Sequence, residues 1–167
     1  MKTIILAGGC FWGVEAYFAR VAGVVDTAVG YTDAPGENPS YQDVCGGSGH
    51  VEVCKVVYDE TTLPLPQVLD HFFRIVDPTQ KDRQGHDVGK QYRSGIYFLD
   101  PADEPLIRER IEAVSRKLGK PVYTYVKPAM PFYDAENYHQ DYLDKNPGGY
   151  CHVNLGLLRP EERKTGK

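Results

Sequence analysis

The sequence predicts one domain of mixed α/β class, with helices packed on a small sheet. Three observations carry this. Short apolar, β-branched runs alternate along the chain with segments whose apolar residues recur at helical spacing. The length, 167 residues, is that of one domain. The composition, 41% hydrophobic and 25% charged, is ordinary for a globular protein and excludes disordered, collagenous and coiled-coil chains. No repeat and no linker divides the sequence. Residues 1–167 are therefore read as a single domain, with about 153–167 as a tail.

Thr3–Ala7 reads as a short buried strand, ended by Gly8-Gly9. A helix is predicted from about Phe11 to Ala22. Val14, Phe18 and Val21 fall at i, i+4 and i+7, and Gly23 stands where a helix-ending glycine belongs. Val24–Tyr31 reads as a second strand. Asp33, Pro35, Gly36, Asn38 and Pro39 make 32–40 a loop, Tyr41–Cys45 has room for one helical turn, and Gly46–Gly49 is another break. His50–Asp59 alternates most clearly, with Val51, Val53, Lys55 and Val57 on one face and His50, Glu52, Cys54, Val56 and Tyr58 on the other. Pro66 suits the first turn of a helix carrying Val68, Leu69, Phe72, Ile75 and Val76, which stops at Asp77-Pro78. Residues 79–92 are polar and read as a long functional loop. Ser94–Leu99 is a strand. Asp100 caps a helix with Pro101 in its first position and Ile107, Ile111, Val114 and Leu118 at core spacing, closed by Gly119. Val122–Val126 is a strand, Asp134–Leu143 a helix candidate, and everything after Pro147 is irregular.

There are 19 basic and 23 acidic residues, a net charge of −4, and the signs are interspersed. That argues against a nucleic-acid footprint. The mixed signs from Arg159 to Lys167 read as a solvated tail. The apolar run after Lys2 is shorter than the ~7–15 residues of a secretory leader. Glu15 and Arg20 interrupt any span of the ~20 apolar residues that a membrane crossing needs. A soluble, cytoplasmic protein is expected.

Four cysteines, Cys10, Cys45, Cys54 and Cys151, form no C-x-x-C pair, so neither a zinc ribbon nor a thioredoxin-type motif is present. Free thiols in a reducing compartment are expected. Cys45, His50 and Cys54 match no zinc spacing, and no metal site is expected. His71, His86, His139 and His152 are scattered, and His139 reads as structural or solvent-facing.

Cys10 follows a strand and two glycines and immediately precedes a helix. A helix N-terminus carries roughly half a positive charge and can lower a thiol below its usual ~8.5. The glycines let backbone approach a ligand closely. A lone cysteine is more commonly a buried, inert thiol. Beside it stand Phe11 and Trp12, the sole tryptophan. This aromatic pair serves equally well as core or as the wall of an apolar pocket.

Gly9-Cys10-Phe11-Trp12-Gly13 resembles the signature of the peptide methionine sulfoxide reductase A family. Further segments match in order: Gly30-Tyr31, Asn38-Pro39-Ser40-Tyr41, Gly49-His50-Val51-Glu52, Asp77-Pro78-Thr79, Arg83-Gln84-Gly85-His86-Asp87 and Gln91-Tyr92-Arg93-Ser94. Phe132-Tyr133, Tyr138-His139-Gln140-Asp141-Tyr142-Leu143, Lys145-Asn146-Pro147 and Gly149-Tyr150-Cys151 follow. The resemblance covers about residues 4–152. It implies a two-layer α/β sandwich with a ferredoxin-like βαβ core and a long C-terminal coil carrying Cys151.

The same resemblance implies reduction of methionine-S-sulfoxide, free or in proteins, to methionine, a repair of oxidised protein. Cys10 is then the nucleophile and ends as a sulfenic acid. Glu52 protonates the departing oxygen, Tyr41 and Tyr92 donate hydrogen bonds to it, Phe11 and Trp12 hold the S-methyl group, and Asp87 orients the substrate. Cys151 resolves the sulfenic acid to a disulfide, which thioredoxin reduces, or dithiothreitol in vitro. No cofactor, metal, nucleic acid or membrane is involved, and a monomer is expected. Glu52 shares its predicted strand face with Cys54 and Val56. A carboxyl in an apolar setting has its pKa raised, as a general acid near neutrality requires; without the motif, a strand Glu is more simply read as part of a polar face.

Departures from the pattern are few. No cysteine follows Cys151, which resembles the two-cysteine subclass. His86 stands where the family more often has Asn. Cys54 is expected to be buried and inert, and Cys45, near the Tyr41 loop, ranks behind Cys151 as a disulfide partner. Two other readings share these residues. A thiol peroxidase would use the same cysteine pair but needs no methyl pocket. A module that only binds methionine segments needs no resolving thiol.

Overall fold

The computed structural model describes residues 1–85, 87–149, 151 and 153–164. The readings of His86, Tyr150 and His152 lie outside the described residues. In chain order the elements are β1 (Lys2–Ala7), α1 (Phe11–Ala19), β2 (Val24–Thr32), α2 (Tyr41–Cys45), β3 (Val51–Tyr58) and α3 (Leu65–Ile75). Then come β4 (Arg83–Gln84), β5 (Asp87–Val88), β6 (Gly95–Phe98), α4 (Glu104–Leu118), β7 (Tyr125–Pro128), β8 (Tyr133–Asp134) and α5 (Tyr142–Lys145).

One sheet runs β7-β6-β1-β3-β2-β8, and β4 and β5 pair as a separate hairpin. β1 is antiparallel to β3 and β6, and β2 is antiparallel to β3. The order β6-β1-β3-β2, threaded as β1-α1-β2-β3-α3-β6, is the ferredoxin-like core that the family resemblance implied. β7 extends it parallel to β6, and β8 extends the other edge antiparallel to β2.

Alternation places the core. Ile4, Leu6, Cys54, Val56, Ile96 and Phe98 face α1 and α3, where they meet Val14, Phe18, Leu69 and Phe72. Ile5, Ala7, Val51, Val53 and Tyr97 point to the other face, covered by Ala129 and Phe132. Burial on both faces explains why β1 and the start of β3 are apolar almost without interruption.

Four expectations are corrected. α1 ends at Ala19 rather than Ala22, because the chain turns and Val21 forms a bridge with Arg163. The Asp100-capped segment opens as a 3-10 turn over Pro101–Asp103, and the α-helix starts at Glu104. The strand expected at 122–126 runs from Tyr125 to Pro128, since Tyr123 N–H is drawn to Pro78 O at 2.7 Å. The helix expected over Asp134–Leu143 is broken into β8, a 3-10 turn at Asn137–His139 and the short α5. Its cause is tertiary: Gln140 Oε1 accepts Val29 N–H at 2.9 Å, and Gln140 Nε2 donates to Val29 O and Ala135 O. Asp141 then adopts φ 52°.

Residues 153–164 are tied down, including 159–164, where the mixed charges suggest a solvated tail. Val153 and Leu158 are buried in the core. Arg74 pairs with both carboxylate oxygens of Glu162, at 2.7 and 3.0 Å.

Candidate active site

Gly9, at φ +87°, turns the chain from β1 into α1 in a conformation that favours glycine. Cys10 is the residue before the first turn of α1 and is 6% exposed. Glu52 projects from β3 toward that helix start and is 1% exposed. Phe11 N–H donates to Glu52 Oε1 at 3.3 Å, while Oε2 has no hydrogen-bond partner among the described residues.

Burial decides the protonation of both groups. It pushes the Glu52 carboxyl up to about 8, against the Phe11 N–H and with help from the Asp87 charge. It also pushes the Cys10 thiol well up, as does Glu52, against the backbone N–H of Trp12. The direction is opposite to the lowering that a helix end can give: burial outweighs the backbone N–H of Trp12. Asp87 and Cys151 add to the push on Cys10, which places them within electrostatic reach of its thiol.

Tyr41 opens α2, whose N-terminus is fixed by reciprocal hydrogen bonds between Ser40 and Asp43, and Tyr41 N–H donates to Glu136 Oε2 at 3.1 Å. Tyr92 closes a 3-10 turn next to Arg93. Burial pushes both phenols up, with the Glu52 charge second, so both keep their protons as donors. Both are half-buried.

The aromatic wall is built from three stretches of chain. Phe11 lies 5.6 Å from Tyr31 and 5.2 Å from His139, centroid to centroid. The Trp12 indole stacks on Tyr142 at 3.8 Å and 11°, and its Nε1–H donates to His139 Nδ1 at 2.9 Å. The indole is a donor only, so His139 carries its proton on Nε2. Burial lowers the His139 pKa and keeps the ring neutral. The sequence marked Phe11 and Trp12 but missed Tyr31, Glu136 and Tyr142 as their supports, and His139 is a buried structural group rather than a solvent-facing one. The only signal was the dense aromatic run 138–142.

Cys151 is half-buried, with its Sγ–H donating to Val153 O at 3.1 Å. Cys54 is fully buried, with burial pushing its thiol well up, as expected of an inert group. Cys45 is exposed, beside the Tyr41 hydroxyl. Among the described residues no group of three or more His, Cys, Asp or Glu is placed to hold a metal, and no helix is long and apolar enough to cross a membrane.

A thiol and a protonated carboxyl thus meet at the start of α1, with two phenols within electrostatic reach and an aromatic cluster alongside. The family model described as peptide methionine sulfoxide reductase matches residues 2–166. This chain belongs to that family. It is 52% identical over 160 residues to a peptide methionine sulfoxide reductase MsrA of Clostridium acetobutylicum, covering 95% of this chain and 99% of that one. Its identity to the MsrA of Clostridium tetani is 54%, over 93% of this chain and 95% of the relative. The crystal structure of Mxr1 from Saccharomyces cerevisiae in reduced form superposes with a TM-score of 0.85 at 40% identity, covering 92% and 91% of the two chains. A structure of Mxr1 in complex with Trx2 matches with a TM-score of 0.59 at 29% identity, covering 84% of each chain. As a member of this family the chain is a peptide methionine sulfoxide reductase, a thiol-dependent oxidoreductase.

Proposed function

We propose that Cys10, Glu52 and Cys151 carry the reduction of methionine-S-sulfoxide in this chain. The observation that carries this assignment is the buried Glu52 carboxyl, pushed up to about 8 beside the Cys10 helix start. It holds a proton at neutral pH where a sulfoxide oxygen needs one. Cys10 attacks the sulfoxide sulfur and Glu52 protonates the oxygen, with Tyr41 and Tyr92 donating to it as charge develops. Phe11 and Trp12 seat the methyl group, and Asp87 orients the rest of the substrate. The S–O bond breaks, methionine leaves and Cys10 holds the oxygen as a sulfenic acid. Cys151 attacks that sulfur, water leaves, and a Cys10–Cys151 disulfide forms. Two thiols have then supplied the two electrons. Thioredoxin restores them by thiol–disulfide exchange, a reading supported by the relative crystallised with Trx2. No cofactor enters this scheme, and the protein acts as a cytoplasmic monomer.

The test is reduction of the separated S and R epimers of a blocked methionine sulfoxide with dithiothreitol. Only the S epimer should turn over, and Cys10→Ser should abolish it. Cys151→Ser should keep one fast turnover and lose thioredoxin-driven cycling. Normal cycling in that variant would remove Cys151 from the scheme and point to Cys45.

A further inference from the structure

Glu15 is a buried carboxyl that the proposed reaction does not use. It sits on α1, three residues beyond Trp12, and is 2% exposed. Both of its oxygens are engaged. Oε1 accepts Asp141 N–H at 2.7 Å, and Oε2 accepts the Thr27 hydroxyl at 2.9 Å. Asp141 stands at φ 52°, a left-handed backbone region that residues other than glycine seldom adopt. Something outside the segment must hold it there, and the Glu15 oxygen does. The pinned residue lies between the two groups that grip the indole. His139, two residues before, accepts Trp12 Nε1–H; Tyr142, one residue after, stacks on its face. Gln140 anchors the same segment to β2.

We propose that Glu15 is a positioning residue for the aromatic seat: by holding Asp141 N–H it fixes His139 and Tyr142 against Trp12. The effect on substrate rests on the reading that Trp12 seats the methyl group. The effect on Trp12 itself does not. Shape rather than charge is what Glu15 supplies, since an isosteric amide meets the same partners: its oxygen accepts Asp141 N–H and its NH2 donates to the Thr27 hydroxyl oxygen.

Trp12 is the sole tryptophan, so its fluorescence reads the seat directly in the full-length protein. Glu15→Ala should red-shift the emission, lower its anisotropy and raise KM by about tenfold with kcat nearly kept, the pattern of lost binding rather than lost chemistry. Glu15→Gln should restore emission and KM together. Glu15→Asp, one methylene shorter and unable to reach both partners, carries the same readouts if the alanine variant does not fold. Emission and KM unchanged in Glu15→Ala or Glu15→Asp, with only the melting temperature lowered, would overturn the proposal. So would a Glu15→Gln variant as impaired as the alanine. Trp12→Phe separates the two readings: an unchanged KM there sinks the methyl seat, while the emission response to Glu15 still decides whether Glu15 positions the indole.

Discussion

Replacing Glu52 with Gln should slow the enzyme and stabilise the fold, because one buried carboxyl produces both effects. Burial pushes the group up to about 8 from an ordinary 4.5. It is therefore about nine-tenths protonated at pH 7 and about one-tenth at pH 9. The protonated form is the one that donates. A general acid contributes about 10²–10⁴-fold, so Glu52→Gln should lower the rate by about that factor at pH 7. The ratio of wild-type to variant rates isolates what Glu52 contributes. That ratio should be flat below pH 8 and fall about tenfold per pH unit above it. The Glu52 carboxylate also opposes the Cys10 thiolate, which steepens the fall.

Stability moves the opposite way. The folded value lies above the unfolded one, so the stability this carboxyl contributes is fully present below pH 4.5 and is lost as pH rises toward 8. At pH 7 the loss is about 3 kcal/mol, at ~1.36 kcal/mol per pH unit. An amide stays neutral without a proton and still accepts Phe11 N–H. Glu52→Gln should therefore melt about 6–12 °C higher at pH 7, at ~2–4 °C per kcal/mol for a chain of this size. At pH 5 the gain should shrink to about 1 kcal/mol. Thermal melts at the two pH values and single-turnover rates from pH 6 to 9.5 check both. A variant no more stable than the wild type at pH 7, or a rate ratio that does not fall above pH 8, refutes the reasoning.

Two further perturbations test the scaffold behind the site. Asp33, its side chain 5% exposed, is held by Tyr97 at 2.7 Å, Lys127 at 3.0 Å and Arg93 at 3.2 Å; Asp33→Ala leaves the buried Arg93 charge with only the Gly49, Lys90 and Asp33 carbonyls and should cost about 3–5 kcal/mol in denaturant titrations, a loss under about 1 kcal/mol speaking against that cluster as a stabilising unit. A Cβ on Gly30 would press on Tyr133 O and the Phe132 ring, so Gly30→Ala should push β8 off β2 and cost about 1–3 kcal/mol; an unchanged unfolding midpoint would show that this edge yields freely.

The strands were legible where burial imposes a period. β1, β3 and α3 follow patterns that are local in sequence; Glu52 sits on β3, and Cys10 follows β1 directly before α1. The 134–143 stretch was not legible, because side chains rather than periodicity set its path. Gln140 replaces helical bonds with bonds to Val29, 111 residues away, and Glu136 bonds the Tyr31 hydroxyl and the Tyr41 backbone. The terminal segment looked solvated for the same reason: the partner of Glu162 is Arg74, 88 residues earlier. The helix-end position of Cys10 could be read from Gly8-Gly9-Cys10, but its burial could not. That burial reverses the expected direction of its pKa.

This reversal has a chemical consequence. A thiolate is the form of cysteine that oxidants and alkylating agents attack. A Cys10 pushed up by burial should stay a neutral thiol in the free protein and resist both. In the proposed scheme Cys10 becomes reactive only in the substrate complex, as the sulfoxide oxygen takes up the Glu52 proton and sulfur becomes open to attack. Iodoacetamide labelling followed by mass spectrometry tests this without turnover. At pH 7.5 the exposed Cys45 should label well before Cys10, despite a thiol that burial also pushes up. Glu52→Gln should speed Cys10 labelling above pH 8, where the wild-type carboxylate is ionised, and leave it nearly unchanged at pH 6, where both side chains are neutral. Rapid labelling of Cys10 at neutral pH in the free protein would mean that the helix end prevails over burial after all, and that the thiol is activated before substrate arrives.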